Sequence, residues 1–320
     1  MSVVTGTSTR EVGRSRTRLD AREKLRGEAA FTGDLEVPGM LHGRVLRADV
    51  AHAEIVSVDT SAAERMPGVA AVLVGRDLLD IDPYYGHAIK DRPIVAIERV
   101  RFNGEPVAAV AAEDPATAEA ALRAIEVVYE ELPLVDTIER ALAPDAPLLH
   151  EGPIRPGLFH GLGNLGERDG NVGYRYNLRA GELGTTAADA PLVAEGEYLF
   201  PAVYQYAMET HSVIADWRPN EISVWASCQH PFLVQAEIAD LFGQPIGAVR
   251  IQVPYLGGGF GSKSYTKMEP LTVALSRKAR RPVKIVNRVD ESMVTTRRHG
   301  MRCWMRTAPI GTPNTSAISA

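Results

Sequence analysis

The sequence feature that most constrains this chain is a glycine run at residues 257–261, in which only Phe260 is not glycine. The alternating residues 248–253 before it predict a strand, and residues 268–278 after it predict a helix with Pro270 near its first turn. A strand, a glycine loop and a helix in this order bring bare backbone N–H groups close to an anion. Glycine suits such a loop because it reaches positive φ and has no Cβ to hold a ligand away.

Two familiar phosphate-binding motifs do not fit this loop. A P-loop has glycine immediately before its lysine, whereas Ser262 precedes Lys263. A dinucleotide fingerprint that started at Gly257 and Gly259 would need a third glycine where Ser262 stands. The loop therefore suits a phosphate-bearing ligand without being a standard ATP or NAD loop. A tight strand-to-helix turn that binds nothing is the alternative, since glycine-rich turns are common.

The composition is that of an ordinary globular protein and limits the expected partners. The chain has 320 residues, 45% of them hydrophobic and 23% charged, and a net charge of −5. No basic block predicts nucleic-acid binding, and no apolar run approaches the length of a membrane span. Cys228 and Cys303 are the two cysteines, which favours a reducing, cytoplasmic compartment and excludes a cysteine-based zinc or iron–sulfur site within the chain.

The first 140 residues predict a flexible N-terminal arm followed by a compact α+β domain. Residues 1–20 are assigned to the arm and residues 21–140 to the domain. Within the domain, apolar and alternating stretches at residues 41–48, 53–58 and 69–74 predict strands.

Three local signals refine this first domain. Asn103-Gly104 predicts a hairpin that joins residues 99–102 to residues 106–112. The sequence Ser-Ala-Ala-Glu at residues 61–64 predicts a capping box at the start of a short helix. Asp114-Pro115 predicts the N-cap and first residue of another helix.

The remainder of the chain predicts a linker, a second domain and a tail. Residues 141–191 lose periodicity and are rich in Gly, Asn, Pro and Ala, as in a linker or wrapping segment. Residues 192–300 predict a second domain that contains a hairpin at 211–226 and a helix at 231–242. Residues 301–320 lack apolar rhythm and predict an irregular tail.

Several motifs in order resemble the molybdenum-cofactor (large) subunit of the xanthine dehydrogenase and aldehyde oxidase family, in particular carbon monoxide dehydrogenase-like members. The stretches that resemble its α/β hammerhead domain are residues 31–45, 101–110 and 118–130. The motifs that resemble its first molybdopterin-binding domain are Met208-Glu209-Thr210-His211, Gln229-His230-Pro231-Phe232 and the loop at residues 257–263. The resemblance implies an α+β fold: a hammerhead domain followed by part of a molybdenum cofactor-binding α+β domain.

The resemblance also implies a cofactor and partner subunits. In that family molybdenum is held by a pyranopterin, either molybdopterin or its cytosine dinucleotide form, and not by protein ligands. A glutamate activates a metal-bound hydroxyl that attacks an electron-poor carbon of a small-molecule substrate, such as an aldehyde or N-heterocycle. Electrons then leave through [2Fe–2S] clusters to FAD, which implies an iron–sulfur subunit and a FAD-binding subunit as partners.

The same resemblance assigns roles to particular residues. Gln229 would hydrogen-bond a terminal oxygen ligand of molybdenum. Gly259, Phe260 and Gly261 would line the metal, with backbone N–H groups directed at its oxo ligand or at the phosphate side of the cofactor, and Gly258 is a further cofactor-binding residue. From the residues alone, a turn residue before a helix that begins at Pro231 is the favoured interpretation of Gln229.

Other polar residues are given structural roles. Glu209 and His211 lie two residues apart and could form a metal or acid–base pair, but packing in a strand is favoured because the family's metal takes no such ligands. Lys263 is expected to support the loop or to pair with an acid. The isolated histidines are expected to be surface or turn residues: His42, His52, His87, His150 and His160.

Two departures from the family pattern shape the expected function. Ser264 stands where purine-oxidising members have an acid that contacts substrate, which disfavours a purine substrate. The family's subunit is also far longer, and its catalytic glutamate and second cofactor domain have no counterpart here, so the chain alone is expected to be inactive. The alternatives are a non-catalytic cofactor-binding or assembly module and a scaffold that binds nothing.

Overall fold

The computed structural model describes residues 13–158, 168–178, 193–296 and 298–307. Its helices and strands, in chain order, are α1 (Ala21–Arg26), β1 (Leu41–Arg47), β2 (Ala53–Asp59), α2 (Ser61–Glu64), β3 (Val69–Val74), β4 (Tyr84–Tyr85), β5 (Arg92–Pro93), β6 (Arg99–Val100), β7 (Pro106–Ala112), α3 (Pro115–Arg123), β8 (Glu126–Glu131), α4 (Ile138–Leu142), β9 (Ala194–Phe200), β10 (Ser212–Arg218), β11 (Glu221–Ala226), α5 (Pro231–Leu241), β12 (Val249–Gln252), α6 (Glu269–Ala279), β13 (Val283–Val286), α7 (Val289–Thr295) and β14 (Met301–Thr307). Residues 1–12 of the expected arm and residues 308–320 of the expected tail lie outside the described residues.

A seven-stranded mixed sheet, ordered β12–β11–β10–β13–β1–β7–β3, joins both halves of the chain. β1 pairs in parallel with β13, which places Leu41 opposite Val283. Gly43 permits close packing here, because a Cβ at this position would lie 2.5 Å from Cγ1 of Ile285. The predicted regions 21–140 and 192–300 therefore share one hydrogen-bonded sheet, and the boundary between them stays a prediction.

Strand β7 is buried at all seven positions because it lies between β1 and β3. A continuous run of alanine and valine is typical of a strand that is covered on both faces. The predicted hairpin at Asn103-Gly104 is wrong, because β6 pairs with β2 in a separate three-stranded sheet, β6–β2–β8. The turn instead carries the chain from one sheet into the other.

The main core lies where helices α5 and α6 pack against the large sheet. Leu275 of α6 and Ile238 of α5 are fully buried in one cluster with Leu41 and Ile285 of the sheet. Each such side chain contributes about 1.5–3 kcal/mol relative to an exposed one. The longest helices in the described part of the chain, α5 and α6, have 11 residues each, and no helix in that part could span a membrane.

Helix α3 covers a second apolar cluster that contains Leu122 and Val110. Its predicted start is confirmed: the Asp114 carboxylate accepts hydrogen bonds from the N–H groups of Ala116 and Thr117, both at 2.9 Å. These bonds satisfy two of the donors that every helix N-terminus leaves without a partner in the helix.

Helix α2 does not have the predicted capping box. Its N-cap residue is Thr60, whose hydroxyl donates to the Glu64 carboxylate at 2.9 Å. The Asp59 carboxylate accepts from the Ser61 N–H at 2.8 Å. The Glu64 N–H, which the Ser61 hydroxyl was expected to satisfy, instead donates to the carbonyl oxygen of Thr60 at 2.9 Å.

Part of the expected linker is packed against itself. The Asn171 amide donates to the carbonyl oxygens of Ala141 at 3.2 Å and Pro147 at 3.0 Å, and its oxygen accepts from the Leu149 N–H at 3.0 Å. Residues 159–167 and 179–192 lie outside the described residues, so the extent of the linker stays a prediction.

Strands β9 and β14 form a two-stranded antiparallel ribbon in which Met301 lies opposite Phe200. The expected irregular tail is therefore wrong for Met301–Thr307. Alternation is missing from this sequence because both strands are largely exposed, including Leu199 at 75% and Trp304 at 68%. A strand whose two faces are both exposed gives no period-two signal.

Candidate functional site

The glycine loop lies between β12 and α6, as the sequence predicts. The N–H and the hydroxyl of Ser262 both donate to the carbonyl oxygen of Gly259, at 2.8 Å and 2.6 Å. Gly258 and Gly261 adopt φ values of 102° and 94°, which other residues rarely reach. Glycine is thus required at both positions by the backbone of the loop.

Gln229 lies directly against this loop. Its backbone N–H donates to the carbonyl oxygen of Lys263 at 2.8 Å, and its side-chain oxygen accepts from the Gly261 N–H at 3.1 Å. A Cβ on Gly259 would lie 2.3 Å from Oε1 of Gln229, so the loop could not approach this closely with a larger residue there. This hydrogen bond to Oε1 orients the side-chain amide of Gln229. Its Nε2 has no acceptor among the described residues and can donate to a ligand.

The loop contains three successive backbone N–H groups, of Gly258, Gly259 and Phe260, that donate to no acceptor in the described part of the chain. Phe260 adopts φ 52°, which is uncommon for a residue with a Cβ and costs conformational energy. Its side chain is 74% exposed. Consecutive N–H groups in such a loop form a concave site for an anionic oxygen.

A buried ion pair joins the two ends of the loop. Nζ of Lys263 donates to Oε2 and to the carbonyl oxygen of Glu209, both at 2.8 Å. The same Oε2 accepts from the Gly257 N–H at 2.8 Å. Burial lowers the pKa of the Lys263 ammonium, and the Glu209 charge opposes this shift. The prediction that Lys263 pairs with an acid is confirmed, whereas the strand-packing role expected for Glu209 is wrong, because Glu209 lies before β10 and holds the loop.

His211 is a buried neutral partner of the same loop. Its Nε2 lies 3.2 Å from the carbonyl oxygen of Ser262, so Nε2 carries the hydrogen and donates it. Burial lowers the pKa of His211 to about 4, with the charges of Lys263 and Lys267 acting in the same direction. Nδ1 is buried without a partner among the described residues. His211 therefore supports the loop as an uncharged hydrogen-bond donor.

Ser264 lies beside Gln229 at the end of the loop. Its hydroxyl oxygen is 3.5 Å from Oε1 of Gln229, and its carbonyl oxygen is 2.8 Å from Nδ1 of His230. The side chain is half-buried. The structure thus brings Ser264, Gln229 and the glycine loop together, and contact of Ser264 with substrate stays a prediction.

The described residues include no group of three His, Cys, Asp or Glu side chains arranged to hold a metal ion. Cys228 and Cys303 are free thiols. His52 lies in the turn between β1 and β2, as expected, but its side chain is only 4% exposed and has Nδ1 2.8 Å from the carbonyl oxygen of Pro133. His160 lies outside the described residues.

The chain matches the models of two known domain families. A molybdopterin cofactor-binding domain matches residues 166–309, and the α/β hammerhead domain of aldehyde oxidase and xanthine dehydrogenase matches residues 26–133. The predicted fold class, a hammerhead domain followed by part of a molybdenum cofactor-binding α+β domain, is confirmed by these matches. Gln229 and the whole glycine loop fall within the first of the two.

Individual relatives extend this similarity over most of the chain. A probable xanthine dehydrogenase subunit of Bacillus subtilis (strain 168) is 36% identical over 92% of this chain and 37% of its own length. The nicotinate dehydrogenase large molybdopterin subunit of Eubacterium barkeri is 31% identical over 92% of this chain and 66% of its own length. The crystal structure of quinoline 2-oxidoreductase from Pseudomonas putida 86 matches with a TM-score of 0.77 and 31% identity, over 92% of this chain and 37% of that chain. The chain thus spans between about a third and two thirds of the length of these relatives.

Proposed function

We propose that this chain, which belongs to the xanthine dehydrogenase and aldehyde oxidase family, uses Gln229 and the glycine loop to hold a molybdenum–pyranopterin cofactor. It would be the cofactor-binding part of an oxidoreductase. The contact of Gln229 with Gly259 and Gly261 carries the proposal. It holds Nε2 of Gln229 beside the backbone N–H groups of the loop that have no acceptor among the described residues.

The residues present fit such a cofactor. Nε2 of Gln229 and the N–H groups of Gly258, Gly259 and Phe260 are donors without acceptors among the described residues. A metal-bound oxygen and a phosphate are both acceptors that bear negative charge, so donors alone satisfy them. When bound, the cofactor supplies oxidative hydroxylation of an electron-poor carbon, with water as the source of oxygen.

The side chains and backbone of this chain bind and orient that cofactor. Gln229 would donate to a terminal oxygen of the cofactor, and the N–H groups of Gly259 and Phe260 would donate to its oxo ligand or to its phosphate side. Donors that are already in place stabilise developing negative charge without reorganisation.

We place the catalytic base outside the described residues. Glu209 is the carboxylate that contacts the glycine loop in the described part of the chain, and Lys263 and Gly257 both donate to its Oε2. Both of these donors belong to the loop, so we assign Glu209 the role of holding the loop and not that of the base. We therefore expect no hydroxylation by this polypeptide alone, and turnover of an aldehyde or N-heterocycle by the purified, cofactor-loaded chain would refute this.

The proposed substrate is an aldehyde, an N-heterocycle or a similar electron-poor carbon. Ser264 supplies a neutral hydroxyl beside Gln229 rather than an acid, which disfavours a purine. The proposed partners are a FAD-binding subunit and a subunit with [2Fe–2S] clusters, which take the electrons. The free thiols of Cys228 and Cys303 support a cytoplasmic location.

Molybdenum content tests the proposal. The chain, produced in cells that supply the cofactor, is expected to contain molybdenum by elemental analysis and to release a fluorescent pterin after oxidation. Gln229→Ala should lower both by at least about tenfold, as for other groups that orient a metal site. Gln244→Ala is the control, because among the described residues the Gln244 side-chain amide donates only to the carbonyl oxygen of Phe242. The proposal fails if the wild type holds no molybdenum or if Gln229→Ala holds as much as the wild type.

Co-purification tests the partner assignment separately. A FAD-binding subunit expressed together with the chain is expected to elute with it in gel filtration. A chain that retains molybdenum but never binds a flavin subunit would instead be a non-catalytic cofactor-binding or assembly module.

A further inference from the structure

A cleft of about 530 Å³ has none of the glycine-loop residues 257–263 in its lining. Three cationic side chains line the cleft: Arg92, Arg101 and Lys267. They come from distant parts of the chain, since Arg92 begins β5, Arg101 follows β6 and Lys267 lies just before α6. The packing of the two halves of the chain therefore creates this concentration of positive charge.

None of the three cations forms a salt bridge with a carboxylate among the described residues. Arg92 donates to the carbonyl oxygen of Thr295 at 3.2 Å, and Nε of Arg101 donates to the carbonyl oxygen of Leu149 at 2.7 Å. Nζ of Lys267 has no hydrogen-bond acceptor in that part of the chain and lies 5.7 Å from the centre of the Tyr265 ring. Guanidinium and ammonium donors therefore remain available to a ligand.

The backbone around these cations is held in place before any ligand arrives. The Tyr85 hydroxyl donates to the carbonyl oxygen of Lys267 at 2.7 Å, and the Lys267 N–H donates to the Glu269 carboxylate at 2.7 Å. The hydrogen bond from Nε of Arg101 to the carbonyl oxygen of Leu149 likewise fixes the Arg101 guanidinium. A site whose donors are fixed in advance loses less entropy on binding.

The acidic groups that face the cleft do not cancel its positive charge. Burial raises the pKa of Asp91 and of Glu105, which weakens the preference of both for the charged form. Burial and the charge of Arg92 lower the pKa of Lys267 to about 8, with Glu269 and Glu237 opposing, so the ammonium remains mostly protonated at neutral pH. Burial also lowers the pKa of His150 to about 4, which leaves it neutral. An anion that entered would meet three cations and at most two carboxylates.

We propose that this cleft binds the phosphate group of a small molecule, with Arg101 and Lys267 as its principal donors. Planar guanidinium forks match phosphate oxygens, and an ammonium adds a point charge. The volume exceeds that of a single phosphate, so a diphosphate or a larger phosphorylated molecule fits as well. This inference stands apart from the proposed cofactor site, because it uses different residues.

Calorimetric titration of the purified full-length chain with inorganic phosphate and with pyrophosphate tests this inference. Binding is expected, and Lys267→Met and Arg101→Gln should each weaken it by at least about tenfold. Lys278→Met is the matched control, because Lys278 pairs with Asp77 outside the cleft and should leave the affinity unchanged. Absence of binding, or binding that neither cleft variant weakens, would overturn the proposal.

Two further measurements identify the source of the phosphate and guard against misfolding. If pyrophosphate binds the cofactor-free chain but not the cofactor-loaded chain, the phosphate of the cofactor occupies the cleft; if it binds both, the ligand is a separate phosphorylated molecule. Circular dichroism checks that each variant is folded. Lys267→Met alone decides the test if Arg101→Gln unfolds, because the Lys267 ammonium forms no hydrogen bond among the described residues.

Discussion

Nζ of Lys263 and Oε2 of Glu209 lie 2.8 Å apart, at a position where the Lys263 side chain has no solvent exposure. Because the Gly257 N–H donates to the same oxygen, one carboxylate holds both ends of the glycine loop. Removal of the cation would leave this buried charge unpaired. We expect Lys263→Met to lower the free energy of unfolding by about 3–5 kcal/mol, as measured by urea denaturation.

The control for this variant is an ion pair of the same type at the surface. Lys278→Met breaks the pair with Asp77, where the two side chains are 34% and 24% exposed. Such a change costs at most about 1 kcal/mol. Equal losses for the two variants would show that the Lys263–Glu209 pair has no special role.

Substitution at Gly259 should disturb the candidate site without unfolding the protein. In Gly259→Ala the new Cβ would lie 2.3 Å from Oε1 of Gln229 and would displace that amide. We expect the purified variant to contain at least about tenfold less molybdenum. Gly247→Ala is the matched control, because no atom lies within 4 Å of a Cβ there.

The cause of this effect can be isolated with a double variant. Gly259→Ala is also expected to lower the free energy of unfolding in urea, and this loss should largely disappear when Gln229 is already alanine if the clash with Gln229 causes it. An unchanged loss in the Gln229→Ala background would place the cause in the backbone of the loop instead.

The sheet that joins the two halves of the chain is tested at Gly43. In Gly43→Ala the Cβ would lie 2.5 Å from Cγ1 of Ile285, so we expect about 1–3 kcal/mol less stability in urea denaturation. Gly33→Ala, whose Cβ would approach no atom more closely than the Ser212 hydroxyl oxygen at 3.4 Å, should be nearly neutral. The contact of β1 with β13 is not supported if both variants unfold at the same urea concentration.

Much of the fold follows from local sequence signals. Leu41–Arg47 alternates between buried and half-buried positions and was predicted as a strand. The N-cap at Asp114 and the hairpin of β10 with β11 were also predicted, because each depends on a few adjacent residues. The Asn103-Gly104 hairpin was wrong because β7 finds its partners in β1 and β3, which the local signal does not specify.

The candidate site was predictable only in part. The glycine loop and Gln229 were identified from the order of motifs, and the structure places them in contact. The bond of Glu209 to Lys263 joins residues 54 positions apart, so no periodicity or spacing indicates it. The cationic cleft likewise depends on how Arg101 and Lys267 meet across the fold, which no local sequence signal contains.

His211 should make the stability of the protein depend on pH. The pKa of His211 is about 4 in the folded chain, against an ordinary value of 6.5. Between these two values the unfolded chain binds a proton that the folded chain does not. Stability is therefore fully present above about pH 6.5 and is lost as the pH falls towards 4, by at most about 3 kcal/mol.

Urea denaturation at pH 7, 6 and 5 measures this dependence. His150, whose pKa is also lowered to about 4, acts in the same direction, so slopes must be compared between variants rather than totals. His211→Gln should show a shallower fall in stability than the wild type, because glutamine has no proton to gain in the unfolded chain. Identical slopes would mean that His211 gains its proton in the folded protein as readily as in the unfolded one, which is incompatible with a neutral His211 buried against Ser262.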